Sequence, residues 1–362
     1  MKIIIFLLAL IPLTSNAQIF RLRITDYDGA DAIPAIKNFI DTEIQKVENE
    51  INQDLPSAPP QRLMEGMADS SVAAGKGIGT DYASDMDVFL IGAGVGVGAD
   101  LEKDENTDSE LSGVGVAPGF IIGMNLAWMD SKRFLGMDTD RLNVYFNFMK
   151  YNYDHTLSDK ANERSEAELD MLALGTHFRN DWIKGNGSKW LGWGGVKLHF
   201  GYEYNKTDLT FSSQINETVN ETSGTGETIN GTISGNPRAK IGVNTHSIPI
   251  SLSTDVRFLY ILSLYTGLGA DYNWGQAKGS GNINGNESPV NCTGGLCTGA
   301  GNPTVLVKPE ANIDATGKVT AFTPRAFLGL QVNIPFVRVF VQADKVLTNE
   351  VIGATAGVRF VY

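Results

Sequence analysis

The stretch 258–274, FLYILSLYTGLGADYNW, decides how the rest of this chain is interpreted. Every second residue from Phe258 is almost always apolar, with aromatic residues at both ends, whereas the intervening positions are mixed. Alternation with a period of two predicts a β-strand whose two faces meet different environments. Tilted as in a barrel, the part from Tyr260 to Tyr272 would rise about 30 Å, the height of the apolar layer of a bilayer with its aromatic margins. The stretch therefore predicts a transmembrane β-barrel, with a long strand of a soluble sandwich or lectin as the alternative.

The composition of the chain excludes several other classes of protein. The length of 362 residues suits one large barrel, and the hydrophobic share of 42% is too ordinary for a bundle of membrane-spanning helices. The formal net charge of −12 argues against nucleic acid as a partner, because phosphates require a basic surface. No cofactor is expected.

Residues 1–17 are expected to be a secretory signal peptide. Lys2 precedes an apolar run over 3–13, and small residues lead to a cleavage site after Ala17. The run is too short for a membrane anchor, and the remaining chain has no apolar run of about 18 residues. Any insertion into a membrane must therefore occur as a closed barrel.

Residues 18–86 are expected to form an N-terminal helical segment. Isoleucine and valine recur at intervals of three or four over 31–55, which predicts one amphipathic helix that begins at Asp31 and ends before Pro56. Residues 57–84 are richer in Pro, Gly, Ser and Ala and are interpreted as a compact linker with a short helix near 61–74. The sequence leaves open whether the segment lies in the periplasm or plugs the lumen of the barrel.

Alternating segments over 87–362 predict the barrel itself, with about ten strands and a range of about eight to twelve. The two long polar stretches, 212–238 and 279–317, are expected to be loops on one side of the barrel, and the tightest connections fall mostly on the other side. Short periplasmic turns with longer outer loops are typical of transmembrane barrels. An even number of strands would place both termini in the periplasm.

Glycines dominate one face of the first two predicted strands. These candidates for packing against a helix are Gly92, Gly94, Gly96, Gly98, Gly113, Gly115, Gly119 and Gly123. Glycine weakens the interior of a strand unless another backbone must come close. We therefore expect the helix over 31–55 to pack near this face in or under the barrel. A strongly coiled hairpin, or a helix that stays in the periplasm, is the alternative.

Charged and polar residues recur on the inward register of the later strands. They are His177, Arg179, Lys197, His199, Glu203, Asp271, Arg325, Arg338, Asp344 and Arg359. Charges inside a membrane span must face water or one another. The set predicts either a structural network of ion pairs or a narrow polar path with a small ligand site.

The two cysteines, Cys292 and Cys297, lie in NCTGGLCTG, and an exported protein meets oxidising conditions that favour a loop disulfide between them. A metal site is the weaker alternative, because no histidine or further cysteine is near in sequence.

The acidic loop 100–110 lacks the EF-hand pattern and its glycine, so a solvated loop is expected there rather than a Ca²⁺ site.

The signal peptide, the alternating strands and the final register of Val358, Phe360 and Tyr362 together resemble Gram-negative outer-membrane β-barrel proteins. The resemblance covers residues 87–362 and implies a location in the outer membrane. It also implies contact with outer-membrane lipid and lipopolysaccharide. The terminal aromatic register is similar to the assembly signal that the barrel-assembly machinery recognises in that family.

Little in the chain points to an enzyme. Omptin-type proteases are ten-stranded barrels with an Asp–His pair at the outer rim, and Asp154 and His155 lie near an outer end. Adjacent strand residues point to opposite faces, so this pair cannot simply cooperate. No enzymatic activity is expected.

Two functions remain as hypotheses. In the first, the barrel is a narrow channel or transporter for small or hydrophobic solutes, with the N-terminal segment as a plug. The fatty-acid transporter family combines these features, but with more strands. In the second, the barrel is a structural or surface-recognition protein that acts through its long extracellular loops. The helix and the glycines favour the first hypothesis, and the length of the loops favours the second.

Overall fold

The structure is a computed structural model that describes residues 20–28, 42, 45, 60–83, 88–102, 110–128, 133–134, 137–160, 163–188, 190–222, 228–286, 288–294 and 304–362. The helix α1 spans Pro60–Ala74. The strands are β1 (Phe20–Asp28), β2 (Phe89–Glu102), β3 (Glu110–Asn125), β4 (Arg133–Phe134), β5 (Met137–Asp138), β6 (Leu142–Lys160), β7 (Glu163–Gly187), β8 (Leu191–Thr222), β9 (Thr228–Phe258), β10 (Leu262–Gly285), β11 (Ser288–Thr293), β12 (Thr304–Lys318), β13 (Phe322–Ile334), β14 (Val337–Val346) and β15 (Val351–Val361).

Ten of these strands close into a barrel. They pair antiparallel in the order β2, β3, β6, β7, β8, β9, β10, β13, β14 and β15, and β15 then pairs with β2. The closing pairs run from Val351 opposite Asp100 to Val361 opposite Leu90. The prediction of an antiparallel transmembrane β-barrel of about ten strands is confirmed.

The two faces of the barrel strands differ as the alternation predicts. On β10, Leu264, Leu268 and Tyr272 are exposed on the outer face, whereas Tyr265 and Asp271 are buried inside. On the outer face of the ring large apolar side chains such as Phe120, Phe148 and Leu328 are exposed, and the buried side chains include many charged and polar residues. This distribution is the reverse of that in a water-soluble protein and suits a barrel surrounded by lipid.

The prediction that a single strand begins at Phe258 is wrong. β9 ends at Phe258 and β10 begins at Leu262, so residues 259–261 form a turn. Leu259 and Tyr260 have φ angles of 54° and 59°, the left-handed conformation that the commonest two-residue hairpin turn requires. Because both turn residues are apolar, the alternating pattern continues through the turn and hides it.

The two ends of the barrel differ in the length of their connections. We call the end with the turn 259–261 and the C-terminal Tyr362 the turn end, and the opposite end the loop end. At the loop end β8, β9 and β10 continue beyond the ring, and β11 and β12 extend the same sheet. β1 pairs with β12. We call β1, β11, β12 and the distal parts of β8, β9 and β10 the outer sheet.

The expectation of loops over 212–238 and 279–317 is therefore wrong for most of both stretches. β8 continues to Thr222 and β9 starts at Thr228, while β12 covers Thr304–Lys318. Beyond the bilayer neither face of a strand has to be apolar, so the alternation that marks the ring strands is absent there. Backbone pairing alone forms these strands from residues rich in Thr, Asn, Ser and Gly.

The chain reaches its first ring strand through the lumen. β1 begins with Phe20 opposite Ala311, so it lies at the loop end. α1 lies inside the barrel, and β2 starts at the turn end, where the ring of Phe89 packs 5.5 Å from that of Tyr362. β1 and Tyr362 thus lie at opposite ends of the barrel, and the location of the two termini relative to the membrane stays a prediction. We call residues 60–83 the lumen segment.

The helix predicted over 31–55 falls outside the described residues, except for positions 42 and 45. Within the described part of the chain, no helix is long and apolar enough to cross a membrane.

The wall of the ring is not paired along its whole length. β3 pairs with β6 only from Phe120 opposite Phe148 to Asn125 opposite Asn143. Nearer the loop end, and among the described residues, β3 pairs only with β2, and β6 pairs only with β7. Pro118, just beyond the last β3–β6 pair, has no backbone N–H and therefore suits such an edge.

Candidate functional site in the barrel lumen

The backbone of α1 lies directly against the glycine face of the barrel wall. A Cβ atom on Gly115 would come within 2.5 Å of the carbonyl carbon of Ser70, and one on Gly98 would overlap the carbonyl oxygen of the same residue. Gly96 and Gly113 meet the helix backbone in a similar way. Ser70 Oγ also donates to the carbonyl oxygen of Gly113 at 3.1 Å. The absence of a side chain at these positions is what lets the helix approach the wall.

The remaining predicted helix-packing glycines meet other groups. Gly119 faces Ile78 of the lumen segment, Gly123 faces the ring of Tyr145, and Gly92 and Gly94 lie against β15. The helix that the glycine face accommodates is α1, which the sequence analysis assigned to a linker.

Lys76 enters a group of carboxylates on the barrel wall. Its Nζ lies 2.7 Å from Glu203 Oε2 and 3.6 Å from Asp271 Oδ2. Arg325 in turn pairs with Asp271 at 3.0 Å and with Asp344 at 2.8 Å. All five side chains are buried. Charges in such an environment require close partners of opposite sign, and this group supplies them.

Asp81 enters a group of arginines nearer the turn end. Its Oδ1 lies 3.5 Å from Arg359 Nη1, and its Oδ2 lies 3.5 Å from Arg338 Nη1. Its main-chain carbonyl oxygen accepts a hydrogen bond from Arg179 Nη1 at 3.0 Å. The lumen segment therefore places a cation among acidic residues and, farther along, an anion among arginines.

The structure places all ten predicted lumen-facing residues on the inner face of the barrel. Buried are His177, Arg179, Lys197, His199, Glu203, Asp271, Arg325, Asp344 and Arg359, and Arg338 is partly buried. Among the pairs not yet named, Lys197 lies 2.7 Å from Asp255, and His199 Nε2 lies 2.8 Å from Ser253 Oγ. In the described residues this set forms a network of ion pairs and hydrogen bonds around the lumen segment.

The residues that the sequence analysis missed lie mainly in the lumen segment itself. The ring of Tyr82 packs 4.6 Å from Phe327, 5.8 Å from Tyr265 and 4.6 Å from His199, measured between ring centroids. The signal that could have identified the segment is AAGKGIGTDYA over 73–83, in which single charges and one tyrosine stand among small residues. A solvated linker has no need for such an arrangement.

Two cavities border the lumen segment or its partners. A gap of only about 10 Å³ remains between α1 and the wall near Lys76. A cavity of about 410 Å³ opens at the turn end and is lined by residues that include Arg179, Arg257 and Tyr260. The lumen segment separates this cavity from the loop end.

The other predicted sites lie away from the lumen. Cys292 is in β11, opposite Ile229, and Cys297 lies outside the described residues, so their disulfide stays a prediction. Val358, Phe360 and Tyr362 are exposed on the outer face at the end of the chain. Asp154 and His155 are both exposed on β6, and most of the acidic loop 100–110 lies outside the described residues.

Several solved structures are similar to this chain. The transport unit of the autotransporter AIDA-I from Escherichia coli has a TM-score of 0.34 at 10% identity, over 83% of this chain and 99% of that chain. The translocator domain of the autotransporter NalP from Neisseria meningitidis has a TM-score of 0.27 at 8% identity, over 77% of this chain and 90% of that chain. The toluene transporter TbuX from Ralstonia pickettii has a TM-score of 0.23 at 9% identity, over 83% of this chain and 99% of that chain.

No curated protein matches the sequence. The model of the Lsa36-like family matches residues 18–362, which is nearly the whole chain. The protein therefore belongs to the Lsa36-like family.

Proposed function

We propose that this barrel is closed by its own N-terminal segment and acts as a surface-recognition protein through the outer sheet. The observation that carries this proposal is the path of residues 60–83. Met64 of α1 lies beside Gly279 at the loop end. The main-chain carbonyl of Tyr82 accepts a hydrogen bond from Lys197 Nζ at 3.0 Å, near the turn end. The lumen segment thus occupies the barrel from one end to the other.

The contacts of the lumen segment support a barrel that stays closed. Residues 70–83 are all buried, and both Lys76 and Asp81 lie among wall residues of opposite charge. Removal of the segment would leave Glu203 and the arginines near Asp81 without these partners. The cost of leaving a charge uncompensated in such a place is on the order of several kcal/mol.

The outer sheet supplies the surface for recognition. Because short turns face the periplasm and longer connections face outward in outer-membrane barrels, the outer sheet with β1 would lie outside the cell. A cavity of about 520 Å³ at its base is lined by residues that include Glu166, Arg238 and Asn282. The lining thus offers an acidic, a basic and an amide side chain, which suit a partner that presents polar groups. In this arrangement lipid and lipopolysaccharide surround the barrel, and Tyr362 presents the assembly signal on the periplasmic side.

A second function, passage of a small or hydrophobic solute, is favoured by one observation. The cavity of about 410 Å³ at the turn end reaches Arg179, and this arginine bonds the lumen segment at Asp81. A solute that entered there would have to displace the lumen segment before it reached the loop end.

Labelling of single cysteines on intact cells tests the proposed orientation. In a variant that lacks Cys292 and Cys297, the substitutions Thr232→Cys at the loop end, Thr25→Cys in β1 and Ser188→Cys at the turn end are compared. We expect a membrane-impermeant maleimide to label the first two on intact cells, and Ser188→Cys only after the outer membrane is made permeable. The reverse pattern would overturn the proposal.

Conductance in a planar bilayer separates the two functions. A closed barrel gives no steps with the full-length protein, whereas Lys76→Gln, which weakens the attachment of the lumen segment, is expected to allow brief openings. Stable steps with the unsubstituted protein would instead favour passage as the function.

A further inference from the structure

Two arginines of the barrel wall share the carboxylate of one residue that does not belong to the wall. Arg338 on β14 and Arg359 on β15 each lie 3.5 Å from a different oxygen of Asp81. Asp81 is fully buried within the lumen segment. Arg179 on β7 donates to the main-chain carbonyl of the same residue. Three strands therefore direct guanidinium groups at one position in the lumen.

The arrangement of these arginines does not depend on the Asp81 carboxylate alone. The guanidinium of Arg359 lies 3.7 Å over the ring of Phe340 and donates to the carbonyl oxygen of Thr80 at 2.6 Å. Arg179 pairs with Asp181 at 3.1 Å. Groups that other contacts hold in place keep their geometry when one ligand is exchanged for another.

Other buried cations of the wall are compensated differently. Arg325 pairs with Asp271 and Asp344, and Lys197 pairs with Asp255, all of which are strand residues. These cations therefore have carboxylate partners within the wall itself. Near Asp81, by contrast, the described residues of the wall contribute three arginines, of which Arg179 also pairs with Asp181, and the lumen segment contributes a carboxylate.

A cavity that opens at the turn end reaches one of these arginines, Arg179. The cavity of about 410 Å³ is lined by Arg141, Arg179, Lys184 and Arg257, with Asp140 and Asp181 as acidic neighbours. Cations outnumber acids along this lining. Arg179 belongs both to the cavity and to the group around Asp81.

We propose that Arg338 and Arg359, with Arg179 at the entrance, form an anion-binding site that Asp81 occupies in the closed barrel. The planar guanidinium group binds carboxylate and phosphate oxygens in pairs, so the ligand class is a small carboxylate or phosphate anion. Such an anion takes the place of the Asp81 carboxylate when that charge is removed. The site is independent of whether the outer sheet recognises a partner.

The test replaces the internal carboxylate and supplies inorganic phosphate. Full-length protein and Asp81→Asn are refolded in a neutral detergent, and thermal unfolding is followed in chloride and in phosphate at equal ionic strength. We expect Asp81→Asn to unfold at a lower temperature than the wild type in chloride and to regain most of the difference as phosphate is added. The wild type, whose site is filled, should respond much less.

Further variants separate binding at the site from a general effect of phosphate. Addition of Arg338→Gln to Asp81→Asn should abolish the response, and Asp81→Glu should behave like the wild type. Lys76→Gln, which removes the opposite charge among carboxylates, should gain nothing from phosphate. An equal response in wild type and Asp81→Asn would overturn the proposal, as would failure of Asp81→Asn to refold in either salt.

Discussion

Lys76 Nζ lies 2.7 Å from Glu203 Oε2, and this contact joins the lumen segment to β8 where both side chains are buried. Asp271 adds a second carboxylate 3.6 Å from the same ammonium group. A buried ammonium group needs such partners, because its transfer from water is costly. The lumen segment is therefore part of the internal packing of the barrel and not a loosely inserted element.

Removal of either member of the Lys76–Glu203 pair should destabilise the barrel strongly. We expect Lys76→Met and Glu203→Gln each to lower the free energy of unfolding by about 3–5 kcal/mol, because each leaves the opposite charge buried. The double variant should lose clearly less than the sum, since it leaves neither charge uncompensated. Urea unfolding of the refolded protein in detergent measures the three values. Additive losses would contradict a direct coupling between the two residues.

The contact between Gly115 and the backbone of Ser70 predicts a second effect on stability. A Cβ atom at Gly115 would lie 2.5 Å from a backbone atom of α1, which cannot rotate away as a side chain can. We expect Gly115→Ala to destabilise the protein by about 1–3 kcal/mol, as overpacking does in other cores. Limited proteolysis should also cleave the lumen segment more rapidly.

Gly192 provides the matched control for this substitution. Its nearest neighbours would lie 3.9 Å or more from an added Cβ atom, so Gly192→Ala should leave the unfolding midpoint nearly unchanged. Equal effects at both positions would show that the loss arises from the strands and not from the helix contact.

The ring of the barrel could be predicted because the membrane imposes a simple rule on its strands. Outer positions such as Leu264 and Leu268 face lipid, and inner positions such as Asp271 face the lumen, so the alternation is strong. The outer sheet could not be predicted in this way, since both of its faces lie beyond the lipid. The turn at 259–261 was not predicted either, because its residues are as apolar as those of the strands and continue their pattern.

The wall of the candidate site was likewise predictable, and so was a short helix near 61–74, but not the place of this helix against the glycine face. α1 contacts the wall through Gly66, Ser70 and Ala74, which recur every four residues and bring the helix backbone close to the glycine face. The face of α1 that meets the glycines carries small residues and no apolar stripe, whereas Met64, Ala68 and Val72 form a short stripe on another face of the helix. The isoleucines over 31–55 form a much clearer stripe, and they led to the wrong choice of helix for this face.

Asp69 at the loop-end rim predicts a dependence of stability on pH. Burial raises the pKa of its carboxyl group above the ordinary value of 3.8, although hydrogen bonds from Thr320 act in the opposite direction. A group whose pKa is raised by folding stabilises the folded state fully below the unfolded pKa, and this contribution is lost as pH rises through the folded pKa. We therefore expect the wild type to gain stability relative to Asp69→Asn as the pH is lowered from neutral.

Urea unfolding of both proteins over a series of pH values checks this expectation. Thr320→Val should shift the dependence to higher pH, because it removes a hydroxyl that donates to the carboxylate at 2.6 Å and lowers the pKa. A wild type that loses stability relative to Asp69→Asn on acidification would contradict the assignment.

The position of α1 in the barrel predicts a specific disulfide at the loop end. Asp69 Oδ2 lies 2.6 Å from Thr320 Oγ1, so cysteines at these two positions would lie near each other. In a variant that lacks Cys292 and Cys297, Asp69→Cys with Thr320→Cys should form a disulfide under mild oxidation, seen as a change in gel mobility that a reducing agent reverses. Asp69→Cys with Ser188→Cys, at the opposite end of the barrel, should form none.

If conductance steps appear in Lys76→Gln, the disulfide should suppress them until it is reduced, because it holds α1 against the turn that contains Thr320. A disulfide with Ser188→Cys, or no disulfide with Thr320→Cys, would mean that α1 does not lie in the lumen as described.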